Sequence, residues 1–549
     1  MKIIKKINKL LLVTILTTLC VFLVKPQTTP VVDAANTYEQ KTQELRAVWV
    51  SHYAGDLKAY SDAESYKQQI LNILNNMEAM GFNTMIFHIR THNNAMYKTD
   101  LNPVASWWSK VDFDEFDPLE WMIEECHSRG IEFHAWLNPY RVSSSGVSDL
   151  DALASSFPDV NPASDKSNYL STSGGVILNP GLPHVRDFIV KTCMEVVENY
   201  DVDAIHFDDY FYISGCDDAA TRKQYNTEGL STGDFRRKQV DLFMEQLSDA
   251  MYEYNIENNK TVQLGISPSG IYRNGSYGND TKPQYDANGN LTYPLYSNTS
   301  GFAHYDDYLY SDTKKWIDEE WIDYILPQTY WAIGHSSASF AKLTKWWSWA
   351  VENKKTNLYI AVGVYMSLEN TSSGKYWKSP DEVKNQLLDA NQYDKIAGIS
   401  FYKYSSLLSS NSLMTGYVSD LKNMWVKDIP CSVQQRYTHL PEIDVVNLVD
   451  DGLTLSWDKA ENVRGYIVWQ VEKNREVDTT NFDQLYIYTQ DTSVELVEGY
   501  DYYVSTVNLA NEISEPLSGK SGSNVERVIN LINNISIPVT LDQVDKIYN

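Results

Sequence analysis

Short apolar runs alternate with longer amphipathic segments from Leu45 to about Trp425. Nearly continuous apolar runs of this length are typical of strands that are buried on both faces of a parallel sheet. Eight runs are predicted to be strands, and they cover residues 45–52, 84–90, 132–140, 204–210, 263–270, 323–331, 358–366 and 397–404.

The segments between the strands carry apolar residues at helical spacing. In 64–81 one face of the predicted helix collects five of them, namely Ile70, Ile73, Leu74, Met77 and Met80. Further helices are predicted over 116–130, 182–200 and 379–393, and the Asp117-Pro118 and Ser379-Pro380 pairs are typical helix starts.

Strands that each lead into a helix predict an α/β protein with a (β/α)8 TIM barrel over 43–430. An open doubly wound sheet is the alternative, but no glycine-rich phosphate loop follows the first strand. Long polar segments follow four of the strands, at 91–115, 141–181, 211–232 and 271–312. In a barrel these segments lie at the C-terminal ends of the strands, where active sites are built.

The pattern changes after about Gln434 to short alternating strands separated by turn residues. It predicts a C-terminal β-sandwich over 441–518. With Trp457 in LTLSW and Tyr502-Tyr503 in YDYYVSTVN, this region resembles a fibronectin type III domain, a module that usually serves as a spacer or adhesion unit. Residues 521–549 are predicted to form a helical tail, which is either a ragged end or the start of a further module.

The first 35 residues have the pattern of a secretory signal peptide. Four lysines precede an apolar run over 10–24, and small residues follow at Ala34 and Ala35. An uncleaved membrane anchor is the alternative, but the run is shorter than the roughly 20 residues that a membrane span needs. We therefore expect a secreted protein of the extracellular space or cell envelope, with no integral membrane anchor after cleavage.

Charge and composition narrow the range of partners. Loss of 1–35 removes five lysines and one aspartate, and so moves the net charge from −26 to −30. Such acidity disfavours binding to nucleic acid and to anionic membranes. The remaining cysteines, at positions 126, 193, 216 and 431, are too scattered for a zinc cluster or a disulfide framework, and we expect them to be small buried side chains.

Two adjacent aspartates end the fourth predicted strand, in AIHFDDYFY over 204–212. Side chains alternate across a strand, so Asp208 shares a face with His206, while Phe207 points to the other face. A carboxylate buried at a strand end costs several kcal/mol unless it is paired or used. We therefore expect Asp208 and Asp209 to be catalytic; the alternative is that either residue caps the following loop.

The same alternation predicts the neighbours of Asp208. His88 and Arg90 share a face of the second strand, and His134, Trp136 and Asn138 share a face of the third. An arginine near Asp208 would keep it ionised. The histidines are expected one layer below the strand ends, as braces for the carboxylate or as purely structural residues.

Glycoside hydrolysis needs two carboxyl groups, and the second is not obvious here. No glutamate stands at the ends of strands five to eight. The partner is therefore Asp209 or an aspartate from a loop, and the loop candidates are Asp56, Asp100, Asp306, Asp307 and Asp312.

Aromatic and amide side chains are concentrated at the predicted strand ends, and aromatic residues make up 13% of the chain. Rings stack on sugar faces and amides bind hydroxyl groups. The rings are Trp107, Trp108, Tyr140, Tyr210, Tyr212, Tyr272, Tyr330, Trp331, Tyr365, Tyr402 and Tyr404, and the amides are Asn138, Asn179, Asn274 and Gln328. We expect His206, Tyr140, Tyr210 and Tyr402 to take part in substrate binding.

Several long motifs resemble the glycosyl hydrolase-like family 10 over most of 43–425. They are ELRAVWVSH, FHAWLNPYR, ILNPGLPHVRDFI, YDVDAIHFDDYFY, GISPSGIYRN, LYSDTKKWIDEEWIDYILPQTYW and GISFYKY. The resemblance implies a barrel that acts on glycans, with peptidoglycan strands as the favoured substrate. It also implies a site made of Arg90, Asn138, Arg141, Asp208, Asp209, Arg273, Gln328, Tyr330 and Trp331. One departure is HIRTHNNAMY, where the family pattern has Gln-x-Arg and a following Gly-Asp.

Three functions therefore compete. A secreted glycosidase would use Asp208 as nucleophile or base, with Asp209 or a loop aspartate as acid, and would need no cofactor or metal. A barrel that binds a polysaccharide without cleaving it is the second hypothesis, favoured by the missing glutamate. The third is a metal-dependent deacetylase or amidase with Asp208, His134 and His206 as ligands; the first strand lacks the expected His-x-His pair.

Overall fold

The computed structural model describes residues 38–437 and 440–518. Eight parallel strands close into a barrel in which each strand pairs with its neighbours in the chain and the last pairs with the first. They are β1 (Leu45–Val50), β2 (Thr84–Arg90), β3 (Glu132–Leu137), β4 (Ala204–Phe207), β5 (Gln263–Ile266), β6 (Tyr324–Ile325), β7 (Asn357–Val362) and β8 (Ile396–Phe401). The predicted TIM-like barrel is confirmed.

A helix follows each barrel strand. These helices are α1 (Ala63–Met80), α2 (Pro118–His127), α3 (Pro183–Asn199), α4 (Thr232–Asn258), α5 (Thr313–Asp318), α6 (Phe340–Ala350), α7 (Glu382–Asn391) and α8 (Ser412–Met424). Shorter helices lie at Leu150–Ala154, Ala219–Tyr225 and Tyr404–Leu407, and 3₁₀ turns lie at Ser106–Trp108, Pro162–Ser164, Lys166–Asn168, Val364–Leu368 and Gly374–Lys378. Asp117 caps α2 as its sequence predicts, accepting from the backbone N–H groups of Leu119 and Glu120.

The strands end earlier than the apolar runs suggest, and this places the polar ends of the runs in the loops. β4 stops at Phe207, so Asp208 and Asp209 lie just beyond it. The predicted alternation is confirmed in β4: Ala204 belongs to the inner core with Trp49 and Trp136, whereas Phe207 packs against Phe243 of α4.

Two loops carry small sheets of their own. Between β3 and α3, three antiparallel strands form in the order Arg141–Ser143, Gly175–Leu178, Tyr169–Thr172. Between β5 and α5, Gln284–Tyr285 pairs with Leu291–Tyr293. The first of these sheets begins at Arg141, shortly after β3. It therefore holds the start of this loop near the end of β4, the strand that pairs with β3.

The C-terminal region forms two antiparallel sheets. One contains β9 (Val449–Asp450), β10 (Thr454–Ser456) and β13 (Ser493–Glu495), and the other contains β11 (Val463–Glu472), β12 (Leu485–Thr489), β14 (Tyr500–Asn508) and β15 (Leu517–Ser518), with a 3₁₀ turn at Phe482–Gln484. Leu455, Trp457, Tyr466 and Val468 are in the core between them. The fibronectin type III-like character of this region stays a prediction.

This C-terminal region packs on the end of the barrel where the strands begin. Arg464 of β11 has 11% of its side chain exposed and forms ion pairs with Asp203 and, at 3.5 Å, with Glu132 at the start of β3. Asn511 donates to Glu132 over 2.7 Å. Burial alone would raise the pKa of both carboxyls, but the charge of Arg464 and its neighbours keeps both pKa values below their usual range.

The signal peptide and the helical tail lie outside the described residues. Within the described ranges, none of the helices has the length and apolar character that crossing a bilayer requires. Cys126, Cys193, Cys216 and Cys431 are free and buried, as the sequence predicts.

We expect Arg464→Met to lower the free energy of unfolding by about 3–5 kcal/mol, because two buried carboxyls lose their shared arginine and keep only His127 and His134 as basic neighbours. Arg475→Met is the matched control: Arg475 pairs with Glu472 at 3.7 Å, and both side chains are largely exposed. Its loss should cost about 1 kcal/mol or less. Urea denaturation of both variants measures the difference, and equal midpoints would contradict the role given to Arg464.

Candidate active site

Three hydrogen-bond donors hold the carboxylate of Asp208 at the C-terminal end of the barrel. It is only 3% exposed. Asn138 Nδ2 donates to it over 2.5 Å, Trp136 Nε1 over 3.2 Å, and the backbone N–H of Tyr210 over 3.2 Å. Burial has the largest effect and raises the pKa of Asp208 above its usual value, while the positive charge of Arg141 and these three donors limit the rise by stabilising the carboxylate.

Asp209 lies in a different environment, although it is the next residue. Burial and then the negative charge of Asp208 raise its pKa to about 7; the Ser269 backbone N–H and the charge of Arg141 act in the other direction. Near neutral pH the carboxyl of Asp209 can therefore still hold a proton. Two carboxyl groups whose pKa values are pushed apart are the arrangement that an acid and its partner require.

Arg141 supplies the nearby positive charge. It starts the small sheet after β3, and its Nη1 donates to Asn138 Oδ1 over 2.9 Å. Its guanidinium lies over the ring of Tyr210, 3.8 Å from the ring centre. Arg141 thus joins Asn138 and Tyr210, both of which donate to Asp208.

Three tyrosine rings form a cluster beside the aspartates. Tyr330 stacks on Tyr402 with ring centres 5.8 Å apart, and Tyr365 meets both rings edge-on. Asp209 is close enough to Tyr330 for its charge to contribute to the raised pKa of that phenol, after burial. The sequence prediction that Tyr330 and Tyr402 lie at the site is consistent with this placement.

His134 and His206 form hydrogen bonds within the barrel core and not with the carboxylate of Asp208. His134 Nδ1 and His206 Nδ1 both hydrogen-bond to the hydroxyl of Tyr324, over 2.9 and 2.8 Å, and His134 Nε2 contacts Glu132 over 3.0 Å. His206 is fully buried, so its expected contact with substrate is not open in this arrangement. His206 points into the barrel, as the alternation of side chains along β4 predicts, but it lies one layer too deep to contact a substrate.

Arg90 does not occupy the place that alternation predicts. The register of β2 against β3 shifts between His88 and Arg90, so the two residues no longer share a face. His88 stacks on Trp136, with ring centres 3.6 Å apart, whereas Arg90 is buried and donates to the backbone oxygens of Asn138 and Pro139. Arg90 therefore holds the start of the loop that carries Arg141.

The remaining predicted residues are distributed around the site. Tyr140 is fully buried among the rings of Phe211 and Phe243. Gln328 and Trp331 are half-buried, and Gln328 Nε2 donates to the backbone oxygen of Ser267. Arg273 pairs with Asp306 and lies over the Tyr305 ring, on the loop after β5.

The loop aspartates are mostly engaged in turns. Asp56 accepts from the backbone N–H groups of Ser51 and Ser405, Asp307 accepts from that of Ala303, and Asp312 caps α5. Asp100 is exposed on the loop after β2. Turns, a helix cap and Arg273 thus hold four of these five aspartates, whereas Asp209 adjoins Asp208 in the chain.

Some residues at the site were not anticipated. Tyr53 and Tyr308 expose their rings beside Tyr210 and line the same cavity with Arg141. Tyr324 joins the two inward histidines. Position in a strand could have identified Tyr324, which shares the inward register of its strand, but nothing in the sequence places the loop residues Tyr53 and Tyr308 together.

The metal-ligand hypothesis requires Asp208, His134 and His206 to converge. They do not, because the histidines meet at Tyr324 while Asp208 is held by Asn138 and Trp136. Across residues 38–437 and 440–518, no group of three or more His, Cys, Asp or Glu side chains is placed to hold a metal ion. The donor set of that hypothesis is therefore not assembled.

A sequence model of the glycosyl hydrolase-like 10 family matches residues 44–379, more than half of the chain. The chain belongs to this family. The matched range contains both aspartates, Arg141 and the barrel from β1 to β7, so the family assignment covers the site described above.

Named relatives agree with the assignment. Glycosyl hydrolase YngK of Bacillus subtilis (strain 168) is 34% identical over 381 residues, covering 67% of this chain and 69% of YngK. Glycosyl hydrolase DigH of Escherichia coli (strain K12) is 30% identical over 417 residues, covering 71% of this chain and 89% of DigH. These names support a glycosidase-like function for the family member described here.

Solved structures are more distant. The glycoside hydrolase domain of PgaB (BpsB) from Bordetella bronchiseptica covers 68% of this chain and 97% of its own, at 11% identity and a TM-score of 0.38. Similarity at this level adds nothing to the assignment.

We expect Asp209→Asn to stabilise the folded protein, increasingly from pH 5 to pH 7. The carboxyl has a higher pKa folded than unfolded, so its ionisation costs stability as pH rises towards about 7. The stability difference from wild type should grow by about 1.4 kcal/mol per pH unit and level off above pH 7. Thermal denaturation between pH 5 and 8 measures it. Asp280→Asn, at an exposed loop position, should show no such trend.

Proposed function

We propose that this protein is a glycoside hydrolase that cleaves glycosidic bonds of a cell-wall or related polysaccharide, with peptidoglycan glycan strands favoured. The observation that carries the proposal is the pair of adjacent carboxyl groups in unlike environments at the C-terminal end of a TIM-like barrel. Active sites of such barrels lie at this end. The names of the relatives and the sugar-stacking rings around the pair support the same class of substrate.

In this proposal Asp209 is the general acid. Its carboxyl retains a proton near neutral pH and can deliver it to the glycosidic oxygen as the bond to the leaving sugar breaks. Tyr330 lies near Asp209, since the charge of Asp209 contributes to the raised pKa of Tyr330. The rings of Tyr330, Tyr365 and Tyr402 offer a face against which a sugar can pack.

Asp208 is the ionised partner. Asn138, Trp136 and the Tyr210 backbone N–H fix its oxygens, and the charge of Arg141 favours the carboxylate. As a carboxylate it can attack the anomeric carbon or take a proton from an attacking water, so it acts as nucleophile or base. Removing any one of its donors would weaken both its position and its charge.

We also propose that the protein is exported by its N-terminal segment and that its C-terminal region is a fibronectin type III-like sandwich. The charge pattern of residues 1–35 supports export. The pairing of three strands in one sheet and four in the other, with Trp457 in the shared core, supports the sandwich. Neither region is assigned any part in the chemistry.

Replacing either aspartate by asparagine should abolish most of the activity. We expect Asp209→Asn to lower kcat by about 10²–10⁴-fold, the usual contribution of a general acid, and Asp208→Asn to lower it at least as much. The assay is mass spectrometry of soluble fragments released from peptidoglycan, with and without its stem peptides. Asp280→Asn serves as the control and should retain activity.

The same experiment separates catalysis from binding. Fragments released by wild type and not by Asp208→Asn establish a glycosidase. If glycan strands bind to the wild-type protein but stay intact after long incubation, the protein is a glycan-binding barrel and not an enzyme. For an active enzyme, kcat should fall above about pH 7 as Asp209 loses its proton, and at lower pH as Asp208 gains one.

A further inference from the structure

A cavity opens beside the two aspartates, and its lining differs from the rest of this acidic protein. It has a volume of 390 Å³ and is bounded by the small sheet after β3 and by the loops after β1, β4 and β5. Tyr53, Tyr210 and Tyr308 present rings that are 48%, 45% and 39% exposed. Ser143, Ser144 and Thr172 add hydroxyl groups. Rings and hydroxyls together are the surface that a sugar requires.

Arg141 is the charged residue of this cavity. Among the described residues that line it there is no aspartate, glutamate, lysine or second arginine. The chain as a whole carries a formal charge of −26. A cavity that excludes acidic side chains in so acidic a protein is suited to a negatively charged group.

The guanidinium of Arg141 also lacks an ionic partner. It is 8% exposed, and within the described part of the chain it forms no ion pair at 4.0 Å or less. Nη1 of Arg141 donates to Asn138 Oδ1, and the ring of Tyr210 covers one face of the guanidinium. A guanidinium has five N–H donors and binds carboxylates through two parallel hydrogen bonds. Donors therefore remain for a ligand that enters the cavity.

From these observations we infer that the cavity is a subsite for a sugar that bears a carboxylate, and that Arg141 binds this carboxylate. The inference rests on the proposed function and names a feature of its substrate. A carboxylate on an ether substituent and the carboxylate of a uronic acid share this chemistry. Arg141 also contacts Asn138, which donates to Asp208. A carboxylate bound to Arg141 would therefore fix the position of the sugar relative to Asp208 and Asp209.

The test compares glycan strands that differ only in this group. Peptidoglycan strands stripped of their stem peptides carry free ether carboxylates, and coupling these to methylamine gives neutral strands of nearly equal size. We expect wild type to have a kcat/KM about 10–100-fold higher on the acidic strands, the range expected of a charge-assisted contact. Arg141→Gln should reduce this ratio to about 2 or less.

The ratio separates recognition from the effect of Arg141 on Asp208. Loss of its positive charge alters the ionisation of Asp208 for both kinds of strand, so that effect cancels in the ratio. Lys223→Gln removes the same charge from an exposed position in the short helix Ala219–Tyr225 and should leave the ratio as in wild type. An oligosaccharide of uronic acids, offered as a competitor, tells the two sources of carboxylate apart.

The outcomes distinguish this inference from the proposed function. Equal cleavage of acidic and neutral strands, or a preference that survives in Arg141→Gln, would overturn the carboxylate subsite and leave the glycosidase intact. If no strand is cleaved, binding of the two kinds of strand to wild type and to Arg141→Gln is measured by co-sedimentation. A preference for acidic strands that depends on Arg141 still supports the subsite, and its absence refutes it.

Discussion

The structure of the site depends on how one buried carboxylate is hydrogen-bonded. Burial disfavours an ionised Asp208, and the charge of Arg141 together with hydrogen bonds from Asn138, Trp136 and the backbone of Tyr210 opposes that effect. Two of these donors come from β3 and its continuation, which lie beside β4 because the strands pair in parallel with Trp136 opposite His206. The strand register therefore determines the chemistry, and a slip of one residue would turn both donors away.

The pKa values of the two aspartates differ because their carboxyl groups have different surroundings, although the residue type is the same. Asp208 accepts from two side chains and a backbone N–H group, while among the described residues Asp209 has only backbone N–H groups as donors and also feels the negative charge of Asp208. In the proposed mechanism, two residues of one type can thus serve as acid and as its partner. That mechanism needs no glutamate at the ends of the later strands.

The sequence was sufficient to predict the barrel, the inward face of β3 and β4, and the adjacent aspartates, because these follow from apolar periodicity and from the alternation of side chains. It failed for Arg90, since a shift of register in β2 cannot be recognised in TMIFHIR. It also placed His206 at the substrate, although Tyr324 of a distant strand takes its hydrogen bond. The lining of one cavity by the loop residues Tyr53, Tyr210 and Tyr308 depends on tertiary packing that no local pattern encodes.

The contact between Arg464 and the base of the barrel has an evolutionary consequence. The C-terminal region supplies the arginine that pairs with Asp203 and Glu132, the same two carboxyls that His127 and His134 of the barrel contact. A barrel inherited without this partner would have to lose both acidic residues or acquire another guanidinium at the same place. Recombination at this junction is therefore constrained, and the two regions should be inherited together.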